Sequence, residues 1–384
     1  MEIRTINNYN IYNYGLAVKK INITDTENVK IASFDIDFTI IKTKSGNVFP
    51  ISFSDWILMY DNTIEILKQY NDQGYIIVFF TNQQKLTDEN IGQFINKLES
   101  IKSVLNINFA CYVSYFDNGY RKPMTGMFDR FLLDHNITSI NVKDSFYCGD
   151  AAGRIYICDK KKDHNITDYY FAKNIGLKFI TPAFCWQRPE SIFNKIDNKY
   201  YLEDKYINLA LNKESLPWNK ISDFNNKIGP KIILMVGCPA SGKSSLSRLI
   251  LKRFSEDNYI LLNADTHKHK LNKIFLSAIA NQNNIIIDNT NPSNEIREKY
   301  FKDVSNYNKL IIYFDFPKDL CLHLNNYRTQ RSIIKEKISK LVYNIYYKKL
   351  DIPLNNEEIN VINIKPSMVV SKIKHKEFMY FYDI

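Results

Sequence analysis

The chain has 384 residues, of which 45% are hydrophobic and 24% are charged, and this composition suits two globular domains that are folded throughout. No apolar run reaches the roughly 18 to 20 residues of a membrane span, and the first residues lack an apolar signal segment, so we expect a soluble intracellular protein. The net charge of +10 favours phosphate-rich partners such as nucleic acid, although a composition rich in Asn, Ile, Lys and Tyr explains that charge equally well.

The cysteines occur singly, without a CxxC pair, and this excludes the usual zinc and redox motifs. We expect them to be buried free thiols. They are Cys111, Cys148, Cys158, Cys185, Cys238 and Cys321.

The first half of the chain contains short apolar runs that end in polar residues, at residues 30–35, 75–82 and 146–150. Runs without alternation, separated by helical segments such as residues 62–73, predict buried parallel strands of an α/β domain. Gly74 suits the position just after that helix. Ligands of such sheets bind beyond the carboxyl ends of the strands, where these polar residues lie.

A pair of aspartates, Asp35 and Asp37, follows the first predicted strand. One carboxylate can attack phosphorus and form an aspartyl-phosphate, while the other acts as general acid and base. Thr81 offers a hydroxyl to a phosphoryl group, and Lys122 can neutralise phosphate charge. Asp150 can complete a Mg²⁺ site with Asp35, because Mg²⁺ needs only one or two carboxylates besides substrate oxygens and water. We also count Asp37 as a candidate metal ligand.

This order of acid pair, threonine, lysine and acid resembles the pattern of the haloacid dehalogenase phosphatase superfamily. The resemblance implies a Rossmann-like phosphatase domain with Asp35 as nucleophile and Asp37 as acid and base. It also implies that Thr81, Lys122 and Asp150 have the supporting roles described above.

The second half of the chain opens with a P-loop pattern. Residues 237–244 fit G-x-x-x-x-G-K-[ST] at every defined position, after an apolar run and before a helix predicted over 244–254. Backbone amides of such a loop hold the phosphates of ATP, the lysine reaches the β- and γ-phosphates, and the hydroxyl of Ser244 binds Mg²⁺. The predicted nucleotide-binding residues are Gly237, Ser241, Gly242, Lys243, Ser244 and Ser245.

The remaining strands of this second sheet are predicted by apolar runs at residues 232–237, 259–265, 285–288 and 310–316. Asp265 ends one run and can accept a proton from an attacking hydroxyl. Residues 288–291 end the next and can organise the acceptor. Arg328 and Arg331 suit a lid over the transferring phosphate, although a solvated helix face explains them equally well.

A phosphatase pattern followed by a P-loop resembles the polynucleotide kinase 3′-phosphatase family over about residues 30 to 360. The segments that carry the resemblance lie within residues 34–56, 121–127, 149–154, 161–163, 171–177, 237–244, 288–292 and 346–349. It implies hydrolysis of a 3′-phosphate through an aspartyl-phosphate and transfer of the ATP γ-phosphate to a 5′-hydroxyl, with Mg²⁺ and ATP as cofactors. The implied partners are nucleic-acid ends, DNA favoured over RNA, with a ligase acting downstream on ends healed by a monomer.

We divide the chain into an N-terminal extension (1–28), a 3′-phosphatase domain (29–190), a linker (191–228) and a 5′-kinase domain (229–384). Both domains are expected to be α/β with mainly parallel sheets. The linker is assigned to a stretch rich in Asn, Lys, Tyr and Glu without a long apolar run, and we expect this stretch to hold some helix. The extension is too short for the forkhead-associated domain of the animal relatives.

Two positions depart from the family pattern. Phe38 stands where the phosphatase pattern has Gly, and we expect its φ to be negative and the site to be active. Ala264 replaces an Arg that precedes the catalytic Asp, and we expect Arg297 and Lys299 to supply positive charge nearby.

Two other functions compete with this interpretation. The first is a kinase–phosphatase of small phosphorylated metabolites, which the basic charge and the family segments disfavour. The second is a non-enzymatic factor that binds nucleic-acid ends, which is disfavoured because every charged catalytic position is present.

Overall fold

The computed structural model describes residues 3–156, 162–189, 193–194, 214–331, 337–370 and 378. The chain divides into two compact units, whose described parts include residues 3–189 and 214–328, respectively. Cys158 and most of the predicted linker lie outside the described residues. Within the described ranges, no helix has both the length and the apolar character that crossing a membrane requires.

The first unit is an α/β layer structure built on an eight-stranded sheet of order β1-β2-β3-β8-β7-β4-β9-β11. Its strands, with those of two small hairpin-like pairs, are β1 (Ile3–Ile6), β2 (Tyr9–Tyr12), β3 (Leu16–Lys19), β4 (Ile31–Phe34), β5 (Ile41–Lys42), β6 (Ile57–Leu58), β7 (Ile76–Asn82), β8 (Ala110–Ser114), β9 (Phe146–Cys148), β10 (Ile155–Tyr156), β11 (Lys178–Ile180) and β12 (Phe193–Asn194). Its helices are α1 (Thr63–Asp72), α2 (Ile91–Leu105), α3 (Gly126–Asp134), α4 (Thr167–Ile175) and α5 (Pro182–Cys185).

Strands β8, β7, β4, β9 and β11 run parallel, as the unalternating apolar runs predicted. Every residue of β4 is buried, because helices cover both faces of the sheet at its centre. Phe34, at the end of β4, stacks on Trp186 with ring centroids 5.7 Å apart. The carboxyl ends of β4, β7 and β9 therefore lie side by side at one edge of the sheet.

Residues 1–28 contain three strands of this sheet instead of a separate extension. Strands β1, β2 and β3 form an antiparallel meander, and β3 pairs antiparallel with β8. Leu16, Ala17 and Val18 of β3 are fully buried. The segment lacks the long apolar runs of the other strands, and for this reason the sequence analysis did not predict β1, β2 and β3. Asn7 and Asn8, both at positive φ between β1 and β2, are the turn signal that indicates the first hairpin.

The second unit contains a five-stranded sheet of order β14-β15-β13-β16-β17, in which all paired strands are parallel. Its strands are β13 (Lys231–Val236), β14 (Ile260–Leu262), β15 (Ile285–Asp288), β16 (Asn308–Phe314) and β17 (Ile359–Ile364). Its helices are α6 (Trp218–Asn225), α7 (Lys243–Arg253), α8 (Ala264–His267), α9 (Leu271–Ala280), α10 (Asn294–Phe301), α11 (Lys318–Gln330), α12 (Lys340–Lys348) and α13 (Pro366–Val370), with 3₁₀ turns at Ser255–Asp257 and Lys268–Lys270. The predicted α/β class is confirmed for both units.

Helix α6 lies within residues 191–228, where we expected a linker that holds some helix, and its Ile221 and Phe224 pack in the core of this unit. The state of two cysteines differs from expectation. Cys238 and Cys321 form a disulfide, so the expectation of free thiols is wrong for this pair. The two cysteines are separated by 83 positions in the sequence, and spacing alone gave no sign of their contact.

We predict that Leu16→Ala lowers the free energy of unfolding of the first unit by about 2–5 kcal/mol, because the fully buried side chain leaves a cavity. Urea unfolding followed by circular dichroism measures the change. Ile3→Ala is the matched control in the same meander: Ile3 is 53% exposed, and its loss should cost about 0.5 kcal/mol or less. Equal effects of the two substitutions would contradict a folded role for β3.

Candidate active sites of the two units

Three predicted residues of the first site follow neighbouring strands. Asp35 comes directly after β4, Thr81 lies at the end of β7, and Asp150 follows β9. The backbone N–H of Asp35 donates to the carbonyl of Cys148 at 2.9 Å, which extends the β4–β9 pairing up to Asp35. Parallel pairing thus brings side chains that are distant in sequence to one edge of the sheet.

Lys122 reaches this edge from a loop and is buried there. Its Nζ donates to a carboxylate oxygen of Asp35 at 2.8 Å, to Asp168 at 2.7 Å and to the hydroxyl of Tyr147 at 2.8 Å. Its backbone is fixed by Asn82, whose side chain accepts from the Lys122 N–H at 2.9 Å and donates to the Lys122 carbonyl at 3.0 Å. Burial lowers the pKa of Lys122, but the two carboxylates outweigh burial and raise it above its usual value. The two carboxylates therefore favour the charged ammonium form of Lys122.

Asp35, Asp150 and Asp168 form the one acidic group among the described residues whose geometry could hold a metal ion, with ligand oxygens all within 4.8 Å of one another. The pKa of Asp35 is raised to about 7, because burial and the charge of Asp168, which raise it, outweigh the charge of Lys122, which lowers it. Burial, followed by the charges of Asp168 and Asp35, raises the pKa of Asp150 well above its usual range. Crowded carboxylates with one lysine among them lack positive charge, so this donor set fits Mg²⁺.

Asp168 was not predicted as a site residue. It lies in the first turn of α4, and its carboxylate also accepts from the Tyr147 hydroxyl at 2.9 Å and from the N–H of Ala151 at 3.0 Å. A Cβ at Gly149 would lie 2.4 Å from this carboxyl group, so only glycine leaves room for it. The sequence signal was therefore a pair: a glycine before Asp150, and an acidic residue on the buried face of a later helix.

Asp37, expected as a metal ligand, is not a member of the acidic group. One of its carboxylate oxygens accepts from Nε2 of Gln83 at 2.6 Å, and the other lies 3.3 Å from Nζ of Lys97. The same Gln83 nitrogen donates to the hydroxyl of Thr81 at 3.0 Å. Both oxygens of Asp37 thus have a hydrogen-bond partner, and Gln83 connects one of them to Thr81. Neither Gln83 nor Lys97 was singled out from the sequence.

Phe38 lies in the left-handed region with φ of 55°, so the expected negative φ is wrong. The loop after Asp37 turns tightly: the carbonyl of Ile36 accepts N–H groups of three successive residues, 39, 40 and 41, at 3.3, 2.9 and 3.1 Å. Such a turn needs one residue at positive φ, which glycine adopts at low cost and a residue with a Cβ adopts at about 1 kcal/mol more. The half-buried ring at Phe38 is therefore held against its backbone preference.

In the second unit, the predicted P-loop connects β13 to α7. Ala240 and Gly242 have φ of 63° and 100°. Nζ of Lys243 donates to the carbonyl of Cys238 within the same loop at 2.7 Å. Burial lowers the pKa of Lys243 to about 8, the charges of Asp288 and Asp265 raise it, and the charge of nearby Arg328 lowers it. These four charged side chains thus share one electrostatic environment.

The loop fits a bound nucleotide, because it buries polar atoms that lack a protein partner. The hydroxyl of Ser241 and one carboxylate oxygen of Asp288 have no hydrogen-bond partner in the described part of the chain. A Cβ at Gly237 would lie 2.9 Å from that hydroxyl and 2.8 Å from Phe314, so the glycine is required for the close packing of the loop. Ser244 is partly buried and Ser245 is exposed at the start of α7.

Asn263 connects the two acidic residues of this site. Its Nδ2 donates to the carboxylate and to the carbonyl of Asp288, both at 3.0 Å. Its Oδ1 accepts from the N–H of Asp265 at 2.8 Å and of Thr266 at 3.2 Å, which caps α8. Asp265 itself is exposed at the helix N-terminus. The cap therefore fixes the position of a solvent-facing carboxylate near the P-loop.

Four basic residues were expected near the reacting groups of the second site, and the structure gives them different surroundings. Arg328 and Arg331 were expected over the transferring phosphate, and Arg297 and Lys299 near Ala264. Arg328 donates to the side chain of Asn325 at 3.0 Å, and Arg331 is exposed. Arg297 is buried and donates to backbone carbonyls, including those of Pro292 and Asp351, both at 2.9 Å. Arg297 is thus committed to the fold and cannot replace an arginine at position 264. Lys299 is exposed and pairs with Glu295 at 3.2 Å.

Two family models match the chain in the order of its units. The model described as Polynucleotide kinase 3 phosphatase matches residues 30–186, and the model described as AAA domain matches residues 232–342.

Three curated relatives are similar to the chain. A Schizosaccharomyces pombe protein named "Bifunctional polynucleotide phosphatase/kinase" is 34% identical over 240 residues, 61% of this chain and 54% of its own length. A protein of Acanthamoeba polyphaga mimivirus, also named for that pair of activities, is 30% identical over 371 residues, 87% of this chain and 84% of its own. A Saccharomyces cerevisiae protein named "Polynucleotide 3'-phosphatase" is 29% identical over 226 residues, 44% of this chain and 90% of its own. The chain thus spans about half of the fission yeast relative and most of the other two.

We predict that Phe38→Gly is more stable than Phe38→Ala by about 1 kcal/mol, because both remove the ring but only glycine adopts a φ of 55° without strain. Urea unfolding of the two variants measures the difference. An alanine variant as stable as the glycine variant would contradict the left-handed conformation of Phe38.

Proposed function

The chain belongs to the bifunctional polynucleotide phosphatase/kinase family, and we propose that it removes a 3′-phosphate from a nucleic-acid end and transfers the γ-phosphate of ATP to a 5′-hydroxyl. One observation carries the proposal. Each unit holds its own set of phosphoryl-transfer groups: Lys122 among three carboxylates in the first, and a P-loop with unpartnered buried oxygens in the second.

In the first unit, Asp35 is the nucleophile. Its carboxylate attacks phosphorus and an Asp35–phosphorus bond forms, while the bond from phosphorus to the 3′-oxygen breaks and Asp37 gives its proton to that oxygen. Asp37 then takes a proton from water, and the hydroxide oxygen displaces Asp35 from phosphorus to release inorganic phosphate. The hydroxyl of Thr81 and the ammonium of Lys122 hold the phosphoryl oxygens.

Asp35, Asp150 and Asp168 would hold Mg²⁺ at this site. The bound ion would neutralise charge on the carboxylates and on the phosphoryl oxygens. Lys122 keeps its protonated state for the same purpose, because the carboxylates beside it raise its pKa.

In the second unit, Asp265 is the general base that takes the proton of the 5′-hydroxyl as its oxygen attacks the γ-phosphorus. The backbone N–H groups of the P-loop hold the phosphates of ATP, and Lys243 leaves its carbonyl partner for the β- and γ-phosphates. Ser244, with the unpartnered oxygen of Asp288, holds the Mg²⁺ that accompanies ATP. Arg328 supplies positive charge to the transferring phosphoryl group.

Polynucleotides are favoured over small metabolites by two exposed features. In the first unit, Phe49 is 58% exposed, and Nζ of Lys85, two residues after Gln83, lies 4.3 Å from the centre of its ring. An exposed ring beside a cation suits stacking of a base next to a phosphate. In the second unit, Lys268 and Lys270 lie exposed just after Asp265. We further expect DNA ends, a monomer, and a ligase that seals the healed ends.

We predict that the two activities separate by mutation, because the two sites share no residue. Asp35→Asn should abolish Mg²⁺-dependent release of phosphate from a 3′-phosphorylated oligonucleotide and leave 5′-phosphorylation within about twofold of wild type. Lys243→Ala and Asp265→Asn should do the reverse. Transfer of radiolabel from ATP and release of inorganic phosphate, assayed on the same preparations, measure both activities.

The control for this experiment is the circular dichroism of each variant. Loss of kinase activity in a folded Asp35→Asn protein would defeat the assignment of two separate sites. Labelling of a mononucleotide but of no oligonucleotide would favour a metabolite kinase instead.

We predict that the affinity for an oligonucleotide falls with salt, with a slope of log affinity against log salt of about −0.7 to −0.9 for each phosphate contacted. Fluorescence anisotropy of a labelled oligonucleotide from low to high salt measures the slope. A flat response would mean that backbone phosphates do not dominate binding.

A further inference from the structure

Lys97 is a buried lysine without an evident role in the fold. It lies on α2 with 7% of its surface exposed, on a helix face otherwise occupied by apolar residues. Burying an ammonium group is costly unless a carboxylate compensates. Among the described residues, the carboxylate within ion-pair distance of Nζ is that of Asp37, at 3.3 Å. The ring of Phe94 lies 5.5 Å from the same nitrogen.

Asp37 is held from two directions. Gln83 donates to one carboxylate oxygen at 2.6 Å, and Lys97 faces the other. The Asp37 side chain remains 38% exposed, so the pair restrains the carboxyl group without closing it off from a substrate. Lys122 contacts Asp35 and Asp168 but is not paired with Asp37. Each of the two aspartates of the motif thus has its own buried lysine.

We infer that Lys97 is a positioning residue for the phosphatase reaction, which holds the carboxyl group of Asp37 in the orientation needed to protonate the leaving oxygen. This inference rests on the proposed function of the first site. It assigns a role to a residue that lies 60 positions away from Asp37 and whose carboxylate partner is not a member of the acidic group of Asp35, Asp150 and Asp168.

The role has a specific chemical consequence. The 3′-oxygen of a nucleic acid leaves as an alcohol and needs a proton as its bond to phosphorus breaks. The oxygen of p-nitrophenyl phosphate leaves as a stable phenolate and needs no proton. A misplaced Asp37 therefore slows cleavage of the first substrate much more than cleavage of the second, whereas general damage to the site slows both.

The test compares kcat/KM for a 3′-phosphorylated oligonucleotide with kcat/KM for p-nitrophenyl phosphate. The parameter kcat/KM is used because it reports the step in which Asp35 is phosphorylated. In the full chain, Lys97→Met should lower the oligonucleotide value about 30-fold or more and the p-nitrophenyl phosphate value about threefold or less. Lys97→Arg keeps the charge and should restore the oligonucleotide value to within about fivefold of wild type.

Lys19→Met is the matched control. Lys19 is also a buried lysine of this unit, 4% exposed, and it pairs with Glu99 and not with a site residue. Its loss should leave the ratio of the two kcat/KM values unchanged. If Lys97→Met does not fold by circular dichroism, Lys97→Gln replaces it, with the same selective loss expected.

Equal losses on both substrates, or no loss on either, would overturn the inference for Lys97. Failure of the proposed function has a different signature. In that case wild-type protein releases no phosphate from the oligonucleotide in the presence of Mg²⁺, whatever residue stands at position 97.

Discussion

The ion pairs of the buried Lys122 ammonium set the charge balance on which the first site depends. Carboxylate oxygens of Asp35 and Asp168 lie 2.8 and 2.7 Å from its Nζ, and both carboxylates are largely removed from water. Without that cation, a third acid at Asp150 would raise the cost of ionising any of them. Three features bring these groups together: the adjacent ends of the parallel strands, the two hydrogen bonds between the Asn82 side chain and the backbone of Lys122, and the absence of a Cβ at Gly149.

The buried lysine of the second site, Lys243, has a different electrostatic environment from Lys122. Burial lowers the pKa of Lys243 to about 8, whereas the pKa of Lys122 is raised. The difference arises because Lys122 contacts two carboxylates directly, whereas in the described part of the chain the hydrogen-bond partner of Lys243 is the carbonyl of Cys238 in its own loop. A lysine whose partner is a neutral carbonyl gains electrostatic interaction energy when a polyphosphate takes the place of that carbonyl. We therefore expect Lys243 to be available for the phosphates of a nucleotide.

The sequence predicted those parts of both sites that depend on strand periodicity. Asp35, Thr81 and Asp150 lie at the carboxyl ends of neighbouring parallel strands of one sheet, and so their meeting could be inferred from unalternating apolar runs. Asp168 could not, because it reaches the site from a helix whose packing the pattern does not encode. The φ of Phe38 depends on three hydrogen bonds to one carbonyl, and the Cys238–Cys321 disulfide depends on tertiary contact. Neither feature produces a periodic pattern in the sequence. The roles of the individual site residues stay predictions.

The meander of β1, β2 and β3 also determines how the first unit can be excised. Strand β3 covers the edge of β8, whose five residues are all buried. A fragment beginning at residue 29 would leave the N–H and C=O groups of that apolar strand open to pairing with another chain, a recognised route to aggregation. The exposed outer strand β1 is a safer boundary, because three of its four residues face solvent. A soluble fragment of this unit must therefore retain the residues from position 3 onward.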